Sequence, residues 1–195
     1  RTTRKRTSYF AKAFPTTVTG LGSKTVSAKR AEGKRFKEAK MAERKKRSAP
    51  KKRVAFVCTG NTCRSVMAEY ILRRTLRNLG REDIVAESYG LKVRKGDGIH
   101  PLAVSALASL GIVARSHPAR VLTRKFADRA ALIVCMTEEH KRIVGTPNAV
   151  SYRDLTGSDV PDPFGGNAED YEAVARMIEN GMSAVLAALD NGVKK

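Results

Sequence analysis

The stretch that most constrains the fold is a short apolar run that ends in a polar loop, residues 54–65, which read VAFVCTGNTCRS. The apolar run predicts a buried strand, and apolar residues at helical spacing over residues 66–79 predict a helix directly after the loop. A strand, a short loop and a helix in this order are typical of a parallel sheet, in which ligands bind beyond the carboxyl ends of the strands. Cys58, where the strand ends, is therefore either a small core residue or a nucleophile in an anion-binding loop.

The rest of the pattern alternates strands with helices. Strands are predicted at residues 54–57, 84–87, 131–136 and 149–152, the last at an edge, and helices at residues 66–79, 101–110, 137–144 and 169–189. Residues 154–167, which are rich in Gly, Pro and Asp, are predicted to form a loop. This order predicts an α/β fold: a three-layer sandwich with a four-stranded parallel sheet and a phosphate-binding loop after the first strand.

The loop carries the residue types that bind phosphate and activate a thiol. Backbone N–H groups and the positive end of the helix dipole would hold phosphate oxygens, and Arg64 offers a planar fork to two of them. The same positive field favours the thiolate of Cys58. Gly60 is expected to let the backbone curl, Asn61 to brace the loop, and Ser65 to donate to the sulfur. The predicted phosphate-binding residues are Thr59, Gly60, Asn61, Thr62, Cys63, Arg64 and Ser65.

Five segments together resemble the low-molecular-weight protein tyrosine phosphatase family. They are CTGNTCRS with MAE at residues 58–69, GI at residues 111–112, SHPAR at residues 116–120, ALIVCMTEEH at residues 131–140 and DVPDPFGG at residues 159–166. The resemblance implies a cysteine-dependent phosphatase with a phosphocysteine intermediate, in which Cys58 and Arg64 are catalytic. Val66 stands where relatives usually have a proline, a change in the first helical turn rather than in the chemistry.

A phosphocysteine mechanism also needs an acid that protonates the leaving group and then activates water. The segment DVPDPFGG offers Asp159 and Asp162. The family's acid is the aspartate directly before the proline, so the resemblance implies that Asp162 is the third catalytic residue. Pro163 restricts the backbone of Asp162 and favours an extended loop.

Two residues bear on the substrate. Thr62 lies where tyrosine-specific relatives usually carry an aliphatic residue, and with Phe164 and the two glycines after it the chain resembles the bacterial protein arginine phosphatases. A hydroxyl suits a polar guanidinium, and the Phe164 ring can stack on a guanidinium or on a phenyl group. Thr62 and Phe164 are therefore predicted to line the substrate pocket, with phosphoarginine preferred over phosphotyrosine on a phosphoprotein substrate.

The cysteines and histidines indicate no metal and no cofactor. Three cysteines are too few for a disulfide framework, so we expect an intracellular protein with reduced thiols. Cys63 is either inert or forms a reversible disulfide that protects the nucleophile. Cys135 is predicted to be structural, which leaves too few redox cysteines for an arsenate reductase. The three histidines show no metal-ligand spacing and receive no role.

Residues 1–53 form a basic arm, with 19 Lys and Arg against 3 Glu, whereas residues 54–195 form a nearly balanced phosphatase domain. Residues 28–47 are rich in helix formers. The arm is either a solvated tail, a transit peptide or an RNA-binding segment, and the last is favoured because its cations match phosphates. The predicted RNA-binding residues are Arg1, Arg4, Lys5, Arg6, Lys34, Arg35, Arg44, Lys45, Lys46 and Arg47.

Two functional hypotheses follow. In the first, a working phosphatase is tethered through its arm to ribosomal RNA and ribosomal proteins, in the cytosol, the mitochondrial matrix or the plastid stroma, with no membrane partner. In the second, the same fold is a catalytically idle structural subunit of a ribosome, either cytosolic or organellar. Intact Cys58, Arg64, Ser65 and Asp162 favour the first hypothesis.

Overall fold

The computed structural model describes residues 31–38, 40–41 and 50–192. The chain divides into two units, Arg1–Lys46 and Arg47–Lys195. In the first unit, residues 31–38 and 40–41 are helical and exposed, and the rest of the helix predicted for residues 28–47 lies outside the described residues. Across the described residues, no helix combines the length and the apolar character that crossing a bilayer requires.

The second unit is built on a parallel sheet of four strands. They are β1 (Lys52–Cys58), β2 (Ile84–Gly90), β3 (Leu132–Cys135) and β4 (Ala149–Ser151). Their order in the sheet is β2-β1-β3-β4, and every pair is parallel. The predicted α/β fold with a four-stranded parallel sheet is thus confirmed, and β4 lies at an edge as predicted.

Helices cover both faces of the sheet, as the alternation of side chains along β1 shows. The helices are α1 (Arg64–Asn78), α2 (Pro101–Ser109), α3 (Arg124–Ala127), α4 (Glu138–Val144), α5 (Tyr152–Thr156), α6 (Ala168–Asn180) and α7 (Met182–Asn191). Val54 and Phe56 belong to a core shared with α1, α2, α6 and α7. Ala55 and Val57 belong to a second, smaller core that includes Ala127 of α3. Because β1 is buried on both faces, its carboxyl end is held from two sides.

The prediction of one long helix over residues 169–189 is wrong in one respect. The segment forms two helices that meet at Gly181. The Tyr152 hydroxyl lies 2.9 Å from the carbonyl oxygen of Met177 and 3.1 Å from that of Ile178, at the end of α6. A Cβ on Gly181 would lie 1.9 Å from the same hydroxyl. The break therefore depends on a tyrosine distant in the sequence, which helical periodicity does not reveal.

Two short helices also depart from the predicted pattern. α3 was not predicted, and α5 occupies residues assigned to the end of a strand and to a loop. Ser151 accepts a hydrogen bond from the Asp154 N–H, and the Asp154 carboxylate accepts one from the Ser151 N–H. This reciprocal capping box ends β4 one residue earlier than predicted and starts α5.

Candidate active site

The predicted phosphate loop joins the carboxyl end of β1 to the amino end of α1. α1 begins at Arg64, its N-cap residue Cys63 provides no side-chain cap, and its first turn holds no acidic residue. Among the described residues, the backbone N–H groups of residues 60–65 donate to no protein acceptor. Unpaired N–H groups at the positive end of a helix dipole form a site suited to an anion.

The sharp turn of this loop lies at Asn61 rather than at Gly60. Asn61 has a φ of 55°, in the left-handed region, and Gly60 does not lie among the glycines with positive φ. A Cβ on Gly60 would make only ordinary contacts, 3.5 Å from the Thr62 hydroxyl. The expectation that Gly60 supplies the backbone freedom is therefore wrong, because asparagine tolerates this conformation when its side chain bonds locally.

The Asn61 side chain does brace the loop. Its amide Nδ2 donates to the hydroxyl of Ser65 at 3.0 Å and to that of Ser88 at 2.9 Å. Its Oδ1 accepts from the Arg120 N–H at 2.8 Å. Three of the four hydrogen-bonding positions of this fully buried side chain are used, so the loop is fixed to β2 and to the segment around Arg120.

Ser65 also contacts the thiol. Ser65 Oγ lies 3.0 Å from Cys58 Sγ and accepts from Asn61 Nδ2. Either the hydroxyl or the thiol can donate in this contact, and a thiolate, which has no proton, can only accept from the hydroxyl. A hydrogen bond donated to the sulfur favours the thiolate over the thiol. Cys58 itself is buried, with 3% of its surface exposed.

A buried polar cluster stands behind the loop. Ser88 Oγ donates to the carboxylate of Glu69 at 2.5 Å and lies 3.3 Å from Nε2 of His117. Arg73 and Arg120 form ion pairs with Glu69. Burial raises the pKa of Glu69, and burial together with the nearby Arg120 lowers the pKa of His117 to about 4. His117 is thus neutral near pH 7, and the cluster holds Ser88 toward Asn61.

The structure brings the predicted acid and the predicted phosphate fork together. Arg64 is buried, and its guanidinium donates to the Asp162 carboxylate at 2.7 Å and to the Val160 carbonyl at 3.3 Å. Asp162 is half exposed, at 51% of its side chain, and its other oxygen accepts from the Phe164 N–H. A guanidinium has five N–H donors, so these two contacts leave others for a phosphate.

Aromatic rings form one wall beside the loop. The His100 ring stacks on Tyr171 with centroids 5.2 Å apart and meets the edge of Phe164 at 6.3 Å. The His100 N–H donates to the Thr62 carbonyl at 2.9 Å. Thr62 and Phe164, both predicted to line the pocket, thus contact the same histidine, and the Phe164 ring is 74% exposed.

The remaining cysteines and histidines have distinct surroundings. Cys63 is a buried free thiol 3.5 Å from the Tyr171 hydroxyl, and burial raises its pKa. Burial raises the pKa of Cys135 in β3 to about 12, which suits a core residue. His140 lies 3.0 Å from the Thr59 hydroxyl through Nε2 and 2.8 Å from the Thr137 hydroxyl through Nδ1. His140 therefore supports the loop, a role that its isolated position in the sequence did not indicate.

Gly90 is a further residue that sequence reasoning missed. A Cβ there would lie 2.8 Å from the Thr59 carbonyl oxygen and 3.0 Å from the Asn61 nitrogen. The loop therefore packs directly against the backbone of β2 at this residue. The available signal was a glycine three residues after the predicted strand 84–87, since glycine can mark close approach of another backbone.

Two of the predicted RNA-binding residues, Lys34 and Arg35, are helical and exposed. The others lie outside the described residues: Arg1, Arg4, Lys5, Arg6, Arg44, Lys45, Lys46 and Arg47. Their binding role stays a prediction.

Comparison with known proteins agrees with this geometry. The family described as low molecular weight phosphotyrosine protein phosphatase matches residues 53–195. A protein-arginine-phosphatase of Bacillus subtilis is 35% identical over 136 residues, which are 65% of this chain and 89% of the relative. A low molecular weight protein-tyrosine-phosphatase of Streptomyces coelicolor is 32% identical over 161 residues, 73% of this chain and 96% of the relative.

A solved structure shares the fold as well as the sequence. It is a cysteine-to-serine mutant of the arginine phosphatase YwlE with a phosphorylated active-site serine. It superposes with a TM-score of 0.66 at 30% identity and covers 72% of this chain and 97% of its own. The matched family, the relatives and the shared fold lead to one conclusion: this chain belongs to the low molecular weight phosphotyrosine protein phosphatase family and is a cysteine-dependent protein phosphatase.

Proposed function

We propose that Cys58 is the nucleophile of this phosphatase and that the reaction passes through a phosphocysteine. The thiolate attacks phosphorus, a sulfur–phosphorus bond forms, and the bond from phosphorus to the leaving oxygen or nitrogen breaks. Ser65 stabilises the thiolate, and Arg64 with the N–H groups of residues 60–65 neutralises the phosphate oxygens. The 3.0 Å contact between Ser65 Oγ and Cys58 Sγ, in which the hydroxyl is the donor once the sulfur is a thiolate, carries this proposal.

Asp162 serves both steps as acid and base. Bound phosphate competes for Arg64, which releases the Asp162 carboxyl from its ion pair. That carboxyl gives its proton to the leaving group. The resulting carboxylate then takes a proton from a water molecule, whose oxygen bonds to phosphorus as the sulfur–phosphorus bond breaks. Inorganic phosphate leaves, and the Cys58 thiolate and the Asp162 carboxyl are restored.

Two substitutions test this chemistry in the full chain with an aryl phosphate. Cys58→Ser should abolish turnover, and Asp162→Asn should slow it by roughly 10²–10⁴-fold, the usual contribution of general acid–base catalysis. Cys135→Ser and Asp159→Asn are matched controls, because Cys135 lies in the core and Asp159 bonds Glu138 and Arg153. Both controls should retain turnover near that of the wild type.

A folded wild-type protein that binds phosphate without turnover would contradict the mechanism and favour the idle-subunit hypothesis. If Asp159→Asn and Asp162→Asn reduced turnover equally, Asp162 would not be the general acid and base.

We further propose phosphoarginine as the preferred substrate. The Thr62 hydroxyl lies in the loop, 3.5 Å from Cys63 Sγ, and can bond a polar guanidinium. The Phe164 ring is exposed and can stack on a planar guanidinium. The similarity to protein-arginine-phosphatases of Bacillus subtilis and Geobacillus stearothermophilus supports this choice.

Substitution at Thr62 tests the preference. The full chain should hydrolyse phosphoarginine peptides faster than phosphotyrosine peptides, and Thr62→Ile should reverse the order. Methyl-scale changes in a pocket alter discrimination by about 1–3 kcal/mol, which makes the change in kcat/KM measurable. Thr62→Ser, which keeps the hydroxyl, should keep the wild-type preference. A wild type that strongly favours phosphotyrosine would refute the role of Thr62.

For the basic arm we propose a tether to an RNA-rich particle, with a ribosome as the first candidate. The composition of residues 1–53 supports this, since 19 cations against 3 carboxylates favour binding to phosphates through counterion release.

A further inference from the structure

One segment, residues 92–100, is bonded to the phosphate loop at both of its ends and is here called the rim loop. The Lys92 N–H donates to the Thr59 carbonyl at 2.8 Å, and the His100 N–H donates to the Thr62 carbonyl at 2.9 Å. Consecutive residues of a polypeptide lie only about 3.8 Å apart. When a phosphorylated side chain is bound in the phosphate loop, the residues that flank it in the substrate therefore pass close to the rim loop.

The rim loop is positively charged. It holds Lys92, Arg94 and Lys95 against one acid, Asp97. All three cationic residues are exposed. Within the described part of the chain, none of the three forms an ion pair. Exposed cations without a partner in the protein are available to carboxylates on a substrate.

The backbone of the rim loop is fixed along its length. The Asp97 N–H donates to the Arg94 carbonyl at 3.2 Å, and the Asp97 carbonyl accepts from the Ala119 N–H at 2.9 Å. The Ile99 N–H donates to the His117 carbonyl at 3.1 Å. The cations are therefore presented from a defined backbone, which reduces the entropy lost when a substrate binds.

The opposite side of the entrance to the phosphate loop is acidic. Residues 159–172 contain five Asp and Glu and no Lys or Arg, and Asp162 among them pairs with Arg64. Phe164 of this segment meets the edge of the His100 ring, at the end of the rim loop, with centroids 6.3 Å apart. A bound substrate thus lies between a cationic and an acidic border. Its carboxylates are attracted on one side of the phosphorylated residue and repelled on the other.

We propose that the rim loop selects phosphoprotein substrates by binding carboxylates on one side of the phosphorylated residue, through Arg94 and Lys95. The inference rests on the proposed phosphatase function and adds to it a preference for acidic sequence on that side alone. These contacts involve residues that take no part in the chemistry and are the same before and during phosphoryl transfer. They therefore lower KM and leave kcat unchanged.

The test uses two isomeric peptides with one phosphorylated residue at the centre, three Glu on one side and three Ala on the other, in opposite orders. Each isomer is made with phosphoarginine and with phosphotyrosine, so the choice between these substrates does not affect the comparison. Residues 1–53 attract both isomers through their charge, so a difference between the isomers reports the entrance to the phosphate loop. The full chain should hydrolyse one isomer with a KM about tenfold below that of the other, because several weak charge contacts act together.

Two double variants separate the rim loop from the rest of the surface. Arg94→Glu with Lys95→Glu should remove the difference by raising the KM of the favoured isomer, and should keep the wild-type kcat on an aryl phosphate, which carries no flanking residues. The matched control, Lys51→Glu with Arg77→Glu, makes the same change in net charge. Lys51 precedes β1 at the far end of the sheet, and Arg77 lies about 20 Å along α1 from Arg64 at 1.5 Å per residue. The control should keep the wild-type preference.

Equal KM values for the two isomers in the wild type, or equal loss of the preference in both double variants, would overturn the inference while turnover of an aryl phosphate leaves the phosphatase in place. A wild type without turnover of an aryl phosphate would overturn the proposed function and this inference with it. Competitive inhibition by an oligouridylate that Arg94→Glu with Lys95→Glu relieves, with equal KM values for the isomers, would also overturn it. The rim loop would then be a nucleic-acid surface.

Discussion

A chain of buried polar residues lies behind the Cys58 thiol, and each residue is hydrogen-bonded to the next. Ser65 bonds Cys58, Asn61 bonds Ser65, and Ser88 receives Asn61 and bonds Glu69. Within a buried cluster each missing partner leaves an unsatisfied polar group, which costs about 1–3 kcal/mol. The protonation of His117 beside Ser88 therefore affects the stability of this whole chain of residues.

The pH dependence of stability should show this. His117 has a pKa of about 4 in the folded chain against about 6.5 when unfolded, so the unfolded state binds the proton more tightly. The free energy of unfolding therefore decreases as the pH falls from 6.5 toward 4. At pH 5 it should be about 1–2 kcal/mol lower than at pH 7. Denaturant unfolding at pH 7 and pH 5 measures the loss, and His117→Gln should reduce it.

Glu69 acts in the opposite direction, because burial raises its pKa and the folded state gains protons there. The contribution of His117 is the difference between the wild type and His117→Gln in the slope of unfolding free energy against pH. His100→Asn, which keeps a helix-capping side chain, serves as control and should keep the wild-type slope. An unchanged slope in His117→Gln would show that the histidine is not the group responsible.

At the scale of elements, the strands, the main helices and the phosphate loop could be predicted because each depends on a local pattern. The run before Cys58 and the periodic residues after it define β1 and α1 without reference to the rest of the chain. The break at Gly181 and the cluster around Glu69 could not be predicted from the sequence, because each brings together residues from different elements. Asn61 was expected to brace the loop, but the tight turn expected at Gly60 lies at Asn61, whose backbone is left-handed.

Gly90 tests how β2 supports the loop. Gly90→Ala places a methyl group 2.8 Å from the Thr59 carbonyl and 3.0 Å from the Asn61 nitrogen, both backbone atoms. We expect a loss of about 1–3 kcal/mol in the free energy of unfolding, together with weaker phosphate binding, because the loop must shift. Thermal unfolding and phosphate titration measure the two effects.

Gly60→Ala is the matched comparison, because its added methyl group meets nothing closer than 3.5 Å. Its free energy of unfolding should stay within about 0.5 kcal/mol of the wild type. If Gly60→Ala is the more destabilising of the two, the loop is not supported at Gly90 as described.

At the scale of the whole molecule, most of the positive charge lies in residues 1–53, the segment proposed to bind RNA, and little of it in the phosphatase domain. Residues 54–195 hold 19 Lys and Arg against 16 Asp and Glu, a net charge of +3, whereas residues 1–53 carry +16. The Bacillus subtilis relative matches over 89% of its own length, which indicates that a domain of this size folds without such an arm.

Deletion of residues 1–50 tests the tether. Full-length protein should bind structured RNA with an affinity that falls steeply with salt, with a log–log slope near about −5 for six phosphate contacts. The protein without residues 1–50 should bind RNA far more weakly and should no longer co-sediment with ribosomes. It should keep its turnover of an aryl phosphate. If the deleted protein still sediments with the particle at moderate salt, the domain surface is the anchor and the structural-subunit hypothesis gains.

The position of β1 between two cores affects how the enzyme loses activity over time. A strand buried on both faces at the centre of a sheet opens to solvent only when the entire domain does. Cys58 is the last residue of that strand, so local unfolding at low free-energy cost does not expose it. Activity should therefore persist through fraying of the outer helices and disappear in the same cooperative step as the fold, with a lifetime set by the global unfolding rate.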